Sequence, residues 1–451
     1  MRDSQGHFPK AAERFADAVI LLFILLLSVV FLYLAIRYPV IKPLSRKIVF
    51  IIPVLIAGLL IIQRTPRFKN FKINSSLVIA SVLLTLYIFE FLQWPWDRIS
   101  TRDNVDFRSD LQVLHDLTQE GKRAVLFVPT ATLIYTESAR TKNANIFPFR
   151  VDKKERIPLS GVSQRTTILC KERGPWSIYE SDEHGFNNPK GLYHPGDVNI
   201  AILGDSFTHG YCVDPGKDFP SQIRNTYDQK TINFGMGGAG PLMRLAIFRE
   251  YVEVLKPKIV LWVYTENTLR RVEQEELLRS YLDPTFTQNL YFAQSEIDKA
   301  YEGINSFVKD ARQSDHMIYQ RWLQLLLLRK TQERLVEGIA ELKNWKQKGQ
   351  ILREDYKALR QALTIERDKT TSWGGDFIFV YLPVPFMSYL SDHDAVMAIV
   401  RDLSIPAIDL SESFRKIKNP LEIYPKKGAH FNERGYKIVA DGIIDALRKR
   451  N

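Results

Sequence analysis

Cysteine is scarce in this chain, with two in 451 residues, Cys170 and Cys212. That excludes a disulfide-dense secreted scaffold and any zinc site made of four thiolates. The two could bridge in an oxidising compartment, but sequence does not bring them near each other, and isolated thiols are the plainer expectation. Glycine (23) and proline (22) are too few for a collagen-like or low-complexity chain. A concentrated basic face is missing as well: of the net charge of +11, residues 1–100 hold +7 and the other 351 residues only +4. With no basic stripe interleaved with aromatics, nucleic acid is set aside as a partner. Nothing calls for a metal or an organic cofactor, and the one glycine-rich turn lacks the Lys-Ser/Thr of a phosphate-binding loop.

What the N-terminal fifth does contain is long apolar runs. Residues 18–36 are 19 uncharged, almost wholly apolar positions, close to the ~20 that cross a hydrocarbon layer as a helix. Residues 48–62 form a shorter run interrupted by Pro53 and Gly58, and residues 77–94 form a third that ends near the Trp94/Trp96 pair. Residues 1–96 are therefore expected to be a membrane region with about three transmembrane helices. The first run is too long for a signal-peptide core, and no small-residue cleavage site follows it. Loop charge does not orient the region. Seven Lys/Arg fall on each side: Arg2, Lys10, Arg14, Arg64, Arg67, Lys69 and Lys72 against Arg37, Lys42, Arg46, Lys47, Arg98, Arg102 and Arg108.

Beyond residue 97 the pattern changes. Short runs rich in β-branched residues recur at Val198–Leu203, Lys258–Tyr264 and Phe377–Leu382, with weaker ones at Ala124–Val128 and Ala407–Leu410. Helical stretches separate several of them, which implies a parallel sheet covered on both faces. Sites in such sheets lie beyond the carboxyl ends of the strands.

Four segments at those ends carry chemistry. Gly204-Asp205-Ser206-Phe207 follows the first strong strand, ahead of a helix opening near Pro220, and puts a hydroxyl at the sheet edge. Ser206 is a nucleophile if a base reaches it and otherwise a turn cap. Asn233-Phe234-Gly235-Met236-Gly237-Gly238-Ala239-Gly240 is a strand end entering a turn whose bare backbone can aim N–H groups at a ligand, or else a structural hairpin. Asn267 follows the next strand, and His430 precedes the last helix. Singly, these two are a turn residue and a helix-start residue.

Together, Ser206, the glycine turn, Asn267 and His430, in that chain order, resemble the SGNH (GDSL-type) hydrolase superfamily over roughly residues 178–270 and 372–451. The flank Ser181-Asp182-Glu183-His184-Gly185-Phe186-Asn187-Asn188-Pro189 is similar to a membrane-associated bacterial branch. The resemblance implies a flavodoxin-like three-layer α/β domain. Ser206 would be its nucleophile and His430 its general base, with an oxyanion hole from the Ser206 and Gly238 N–H groups and the Asn267 side chain. Asp205, His209 and Gly237 are expected beside the site, Asp205 as a structural residue. The activity implied is acyl-ester hydrolysis or O-acyl transfer through an acyl-serine, plausibly on a cell-envelope glycan. The implied setting is the bacterial inner membrane, multi-pass, with the catalytic domain extracytoplasmic and envelope-assembly proteins as possible partners.

The chain departs from that pattern at the acid. The carboxylate commonly two or three positions before the histidine is replaced by Gly428 and Lys427, and Asn267 is followed by Thr268. The orienting role could pass to a backbone carbonyl near Lys427, to Glu422 or to a distant carboxylate. If none serves, the chain is a degenerate module that binds glycan or scaffolds an envelope assembly. Residues 271–371 interrupt the core as a helical insertion, with Leu328, Leu335 and Leu342 spaced seven apart, and are expected to cap the site. Residues 97–177 are expected to form a connecting subdomain with no assigned chemistry.

Overall fold

The computed structural model describes residues 10–36, 53–61, 65, 69–99, 106, 108–131, 150–151, 154–172, 174–227, 229–266, 268–301, 353–385, 392–425 and 430–450. The chain divides into two compact units, Met1–Arg102 with Asp315–Lys346 and Asp103–Ser314 with Gln347–Asn451.

In the first unit, helices α1 (Lys10–Ile36), α2 (53–61) and α3 (Lys69–Ile99) follow the three apolar runs. α1 and α3 pack together, and Ala16, Ile20, Ile73 and Ser76 are buried. Leu21, Leu22, Leu25, Val78, Val82 and Leu84 remain exposed, so these helices are apolar well beyond the faces they bury. Among the described residues one window, Ile73–Glu90, is long and apolar enough to cross a membrane, with a mean hydropathy of 1.7 over 18 residues. The expectation of three spans is not carried by these residues. At 1.5 Å per residue the described part of the middle run is about 14 Å long, roughly half a hydrocarbon layer.

The second unit opens with α4 (Asp110–Gln119), begun by a capping box in which Ser109 Oγ accepts from the Gln112 N–H and Gln112 Oε1 from the Ser109 N–H. Strands β1 (Ala124–Leu126), β2 (Thr166–Cys170) and β3 (Ser177–Glu180) make a small sheet, β1 parallel and β3 antiparallel to β2. The main sheet is built from β4 (Ile200–Gly204), β5 (Thr231–Gly235), β6 (Ile259–Thr265), β7 (Asp376–Leu382) and β8 (Ala407–Asp409). All five are parallel, in the order β8-β7-β6-β4-β5. Order reverses at β4, whose neighbours are β6 and β5, so the carboxyl end of β4 faces the crevice where such sheets bind ligands.

Strand periodicity makes two cores. Ala201, Leu203, Val260, Trp262, Tyr264, Phe377 and Phe379 enter one, together with residues of helices α7 (Pro241–Ile247), α8 (Arg353–Ser372) and α9 (His393–Asp402). Ile200, Ile202, Leu261, Val263, Ile378 and Val380 enter the other, with Phe219 and Ile223 of the helix Phe219–Thr226 and Val439 and Ile443 of the last helix, Glu433–Arg448. Successive side chains of a strand point to opposite faces, so the continuous apolar runs of β4, β6 and β7 are what a sheet covered on both sides requires. Helices on both faces of a parallel sheet give three α/β/α layers. Phe127, Leu159 and Leu169, from the region expected as a connector, lie in the first of these cores and, with Tyr179, dock the small sheet against the main one. Residues 302–352, with Leu328, Leu335 and Leu342, lie outside the described residues.

Candidate active site

β4 stops at Gly204, and Ser206 begins a single helical turn, Ser206–His209. Asp205 caps that turn by accepting from the Phe207 N–H at 3.0 Å. Gly204 is required: a Cβ there would sit 1.9 Å from Thr208 Oγ1. Gly210 closes the turn in the left-handed conformation (φ 88°), which a residue with a Cβ adopts at a cost. The hydroxyl of Ser206 is thus carried at the sheet edge on a turn with little freedom.

The last helix is capped by Asn432, whose side chain accepts from the Gly435 N–H, and its N-terminal approach delivers His430 to that turn. His430 Nε2 lies 2.8 Å from Ser206 Oγ, and Nδ1 lies 2.7 Å from Glu172 Oε1. Glu172 Oε2 also accepts from the His430 backbone N–H at 2.6 Å, so one carboxylate fixes both the ring and the chain that bears it. A carboxylate only accepts, which places the ring proton on Nδ1 and leaves the Nε2 lone pair for the serine O–H. Phe207 and Tyr211 flank the imidazole, with ring centroids at 4.9 and 4.8 Å.

Glu172 lies two residues past β2, in the stretch to which sequence assigned no chemistry. Glu422 is not the acid: it pairs with Arg434 at 3.0 Å. Lys427 lies outside the described residues. The two cysteines are bonded to each other, Cα to Cα 5.4 Å, which corrects the expectation of isolated thiols. An irregularity in β2 between Ile168 and Cys170 and the left-handed backbone of Cys212 (φ 63°) bring the two within bridging distance. Donor atoms of Glu172, Cys212 and His430 lie within 4.8 Å of one another. With the sulfur of Cys212 in a disulfide it is no thiolate, so the trio does not fit a metal in this state.

The glycine turn packs directly on the nucleophile's turn. A Cβ on Gly235 would stand 2.3 Å from the His209 backbone nitrogen, and one on Gly237 would stand 2.2 Å from the Tyr211 hydroxyl. Gly238 is left-handed (φ 78°), and among the described residues no acceptor takes its N–H. Asn267 lies outside the described residues; its neighbour Thr268 is buried and anchored. The anchor is Arg244, a fully buried guanidinium that sequence reading passed over inside the apolar helix α7. It donates to the Ala239 carbonyl (3.2 Å), the Val263 carbonyl (2.5 Å) and Thr268 Oγ1 (3.1 Å), lies 3.7 Å from Asp205 Oδ2 and stacks 4.5 Å over Trp262. One side chain therefore joins the serine turn, the glycine turn and the end of β6. Burial lowers its pKa, offset in part by the charges of Asp205, Glu275 and Glu366. Glu275 accepts from the Gly240 and Leu242 N–H groups at the start of α7 and holds the far end of the same turn.

Two residues expected to line the site stand behind it. His209 is fully buried, with Nε2 3.2 Å from the Tyr179 hydroxyl and its ring edge-on to Phe127 at 4.8 Å. Burial, and secondarily the charge of a protonated His430, lowers its pKa to about 3, so it is a neutral wall residue. Asp205 is spent on the cap, on Thr265 Oγ1 and on Arg244. The Ser181–Pro189 flank is likewise scaffold. Asn187 donates to the His209 carbonyl, and Asn188 bonds Asp182, Arg224 and both backbone groups of Asn233, fastening this loop to β5.

No family model and no curated protein matches this sequence. Among solved structures, similarity extends to a two-domain esterase active on acetylated mannans, at 16% identity and a TM-score of 0.31, covering 56% of this chain and 49% of that one. The chain thus matches about half of that esterase's length. A lipolytic protein of the G-D-S-L family from Desulfitobacterium hafniense DCB-2 has 12% identity and a TM-score of 0.31, covering 55% of this chain and 99% of its own. An acetylxylan esterase from Geobacillus stearothermophilus has 12% identity and a TM-score of 0.31, over 56% and 95%. What the site itself presents is a serine at the carboxyl edge of the parallel sheet, a histidine and a glutamate in hydrogen-bonded series.

Proposed function

We propose that this protein is a serine acyl-ester hydrolase or O-acyltransferase of the SGNH type, held at a membrane by its N-terminal unit. The observation that supports it is the series Ser206 Oγ, His430 Nε2, His430 Nδ1, Glu172 Oε1, with spacings of 2.8 and 2.7 Å. His430 takes the serine proton as Oγ attacks the ester carbonyl, and the tetrahedral oxyanion is received by the Ser206 and Gly238 N–H groups and the Asn267 amide. Collapse expels the alcohol, which takes the proton back from His430 and leaves acyl-Ser206. Attack by water completes hydrolysis, and attack by a sugar hydroxyl completes transfer. The non-catalytic alternative was motivated by the missing acid, and Glu172 removes that motive. The substrate class is an acyl ester on an envelope glycan, and the anchor is the Ile73–Glu90 helix in the bacterial inner membrane, with the second unit extracytoplasmic.

Labelling with a fluorophosphonate tests the core of this reading. Wild type is expected to label, and Ser206→Ala and His430→Ala are not. A well-folded wild type that stays unlabelled would sink it. An acetyl donor offered with and without a glycan acceptor separates transfer from hydrolysis, and carbonate-resistant membrane fractionation tests the anchor.

A further inference from the structure

The acid of this triad does not share a sheet with its base or its nucleophile. Ser206 and His430 are carried at the edge of the main sheet, while Glu172 follows β2 of the small one. Besides the rings of Phe127 against His209 and Tyr211, four polar or covalent contacts among the described residues hold the edge of the small sheet to the segments of Ser206 and His430. One is the Glu172–His430 pair itself. Two are hydrogen bonds, Ser177 Oγ to the Val213 carbonyl at 2.7 Å and the Tyr179 hydroxyl to His209 Nε2 at 3.2 Å. The fourth is covalent, between Cys170, two residues before Glu172, and Cys212, six residues after Ser206.

These positions close a ring: Ser206 runs through its turn to Cys212, across the disulfide to Cys170, on to Glu172, and back through the imidazole of His430 to Ser206. Cys212 lies in the left-handed region (φ 63°), which a residue with a Cβ adopts only when its surroundings impose it. The segment after it is held to the small sheet by Ser177. Past Glu172 the chain is tied to residues 106–108 and not to the nucleophile's turn: the Gly174 carbonyl accepts from the Asp106 N–H at 3.2 Å, and the Trp176 indole N–H donates to the Arg108 carbonyl at 3.0 Å. Lys171 reaches the other way, to the Asp106 and Arg108 carbonyls at 2.6 and 3.0 Å. The sulfur bridge is the covalent connection between the carboxylate's segment and the nucleophile's turn, and it lies two residues from Glu172.

We propose that the Cys170–Cys212 disulfide is a positioning brace for the catalytic acid, making ester turnover dependent on the oxidised state of this pair. This rests on the triad proposed above. A dithiol reductant opens the bridge by exchange: its two thiols become a disulfide, and Cys170 and Cys212 each gain a hydrogen. Glu172 then loses its fixed distance from Nδ1, the imidazole loses its tautomer and orientation, and the serine remains in place. The protein would be weakly active under thiol-reducing conditions and fully active where disulfides persist.

The test uses the full-length protein, oxidised and after dithiol reduction, alongside Cys170→Ser/Cys212→Ser and Glu172→Gln. Two readouts are taken. The first is turnover of a small acetyl ester. Reduction is expected to lower kcat of wild type by about tenfold or more with KM changed less than about twofold, since loss of the acid in a serine triad costs up to ~10⁴. The double serine variant should match reduced wild type, and reduction should change Glu172→Gln no further. The second is the downfield proton resonance of the His430 Nδ1–H, assigned by its absence in Glu172→Gln. It should be present in the oxidised protein, lost on reduction and restored on reoxidation. Unchanged kcat with fully reduced cysteines, or Glu172→Gln losing as much again on reduction, would overturn the brace. Absence of any Ser206-dependent turnover would instead remove the proposed enzyme, and the Nδ1 resonance would still decide whether the bridge positions Glu172.

Discussion

A carboxylate on Nδ1 decides which nitrogen of an imidazole is basic, so the residue that supplies it is the sharpest place to interrogate this site. Glu172→Gln keeps the shape but offers an amide that donates as readily as it accepts, so the wrong tautomer can be stabilised. We expect kcat on a small acetyl ester to fall by roughly 10² to 10⁴ while Ser206 remains reactive enough to label slowly. Equal turnover of the variant and wild type would show that Glu172 is no orienter. Ser206 and His430 were legible in the sequence because each sits in a local pattern, a Gly-Asp-Ser turn after a strand and a histidine before the terminal helix. Glu172 was not, because its role is defined only by where a different sheet docks, 258 residues away from its partner in the chain. Arg244 escaped for another reason: a charge inside Pro-Leu-Met-Arg-Leu-Ala-Ile reads as an exposed face until the structure shows it fully buried against Trp262 and the turns it bonds.

Between elements, the fit of two turns sets where Ser206 stands. Gly235→Ala would push a Cβ into the backbone at Thr208 and His209, 2.3 to 2.4 Å away, and neither turn can yield without moving Ser206. A loss of about 3 kcal/mol in urea unfolding is expected, at the upper end of overpacking costs. The accompanying loss of kcat should exceed that of Gly237→Ala, whose obstacle is a side chain, the Tyr211 hydroxyl. Arg244→Met tests the join between turns. Removing the guanidinium strands two carbonyls and leaves Asp205 without its buried countercharge, and a penalty of about 3–5 kcal/mol in the same measurement is expected. Stability within 1 kcal/mol of wild type would mean the arginine is dispensable. The strands these turns connect were readable as apolar runs, with ends that shift by one or two residues: Val198–Leu203 became Ile200–Gly204, and Ala124–Val128 became Ala124–Leu126. The short helix at Ser206 was not readable, because a single turn has no periodicity.

For the molecule as a whole, each buried neutral histidine contributes a stabilisation that acid removes. The His209 pKa is lowered to about 3 and that of His184 to about 4, both chiefly by burial, against 6.5 when unfolded. Between those values the unfolded chain binds more protons than the native one, so this stabilisation is complete above pH 6.5 and is lost as pH falls towards 3. Asp182 and Glu275, buried acids each raised to about 7, and Glu366, raised well above the usual carboxylate range by burial, act in the opposite sense, so the comparison of interest is between wild type and His209→Phe. The stability advantage of wild type over that variant should shrink by up to about 1.4 kcal/mol per pH unit below 6.5. A constant difference from pH 7 to pH 4.5 would show that His209 titrates normally. The three-layer class was legible at this scale because alternation of strands and helices survives without any knowledge of contacts. The allegiance of residues 97–177 was not, since Phe127, Leu159 and Leu169 look like those of any small domain until they are seen in the sheet's own core.

That allegiance bears on how the protein could be divided. A fragment beginning just before β4 would keep the alcohol, the imidazole and the bare amides, and would still lack the carboxylate that bonds His430. Any attempt to trim this protein to residues 178–270 and 372–451 would discard Glu172, and a lack of turnover in the fragment would be mistaken for a property of the whole.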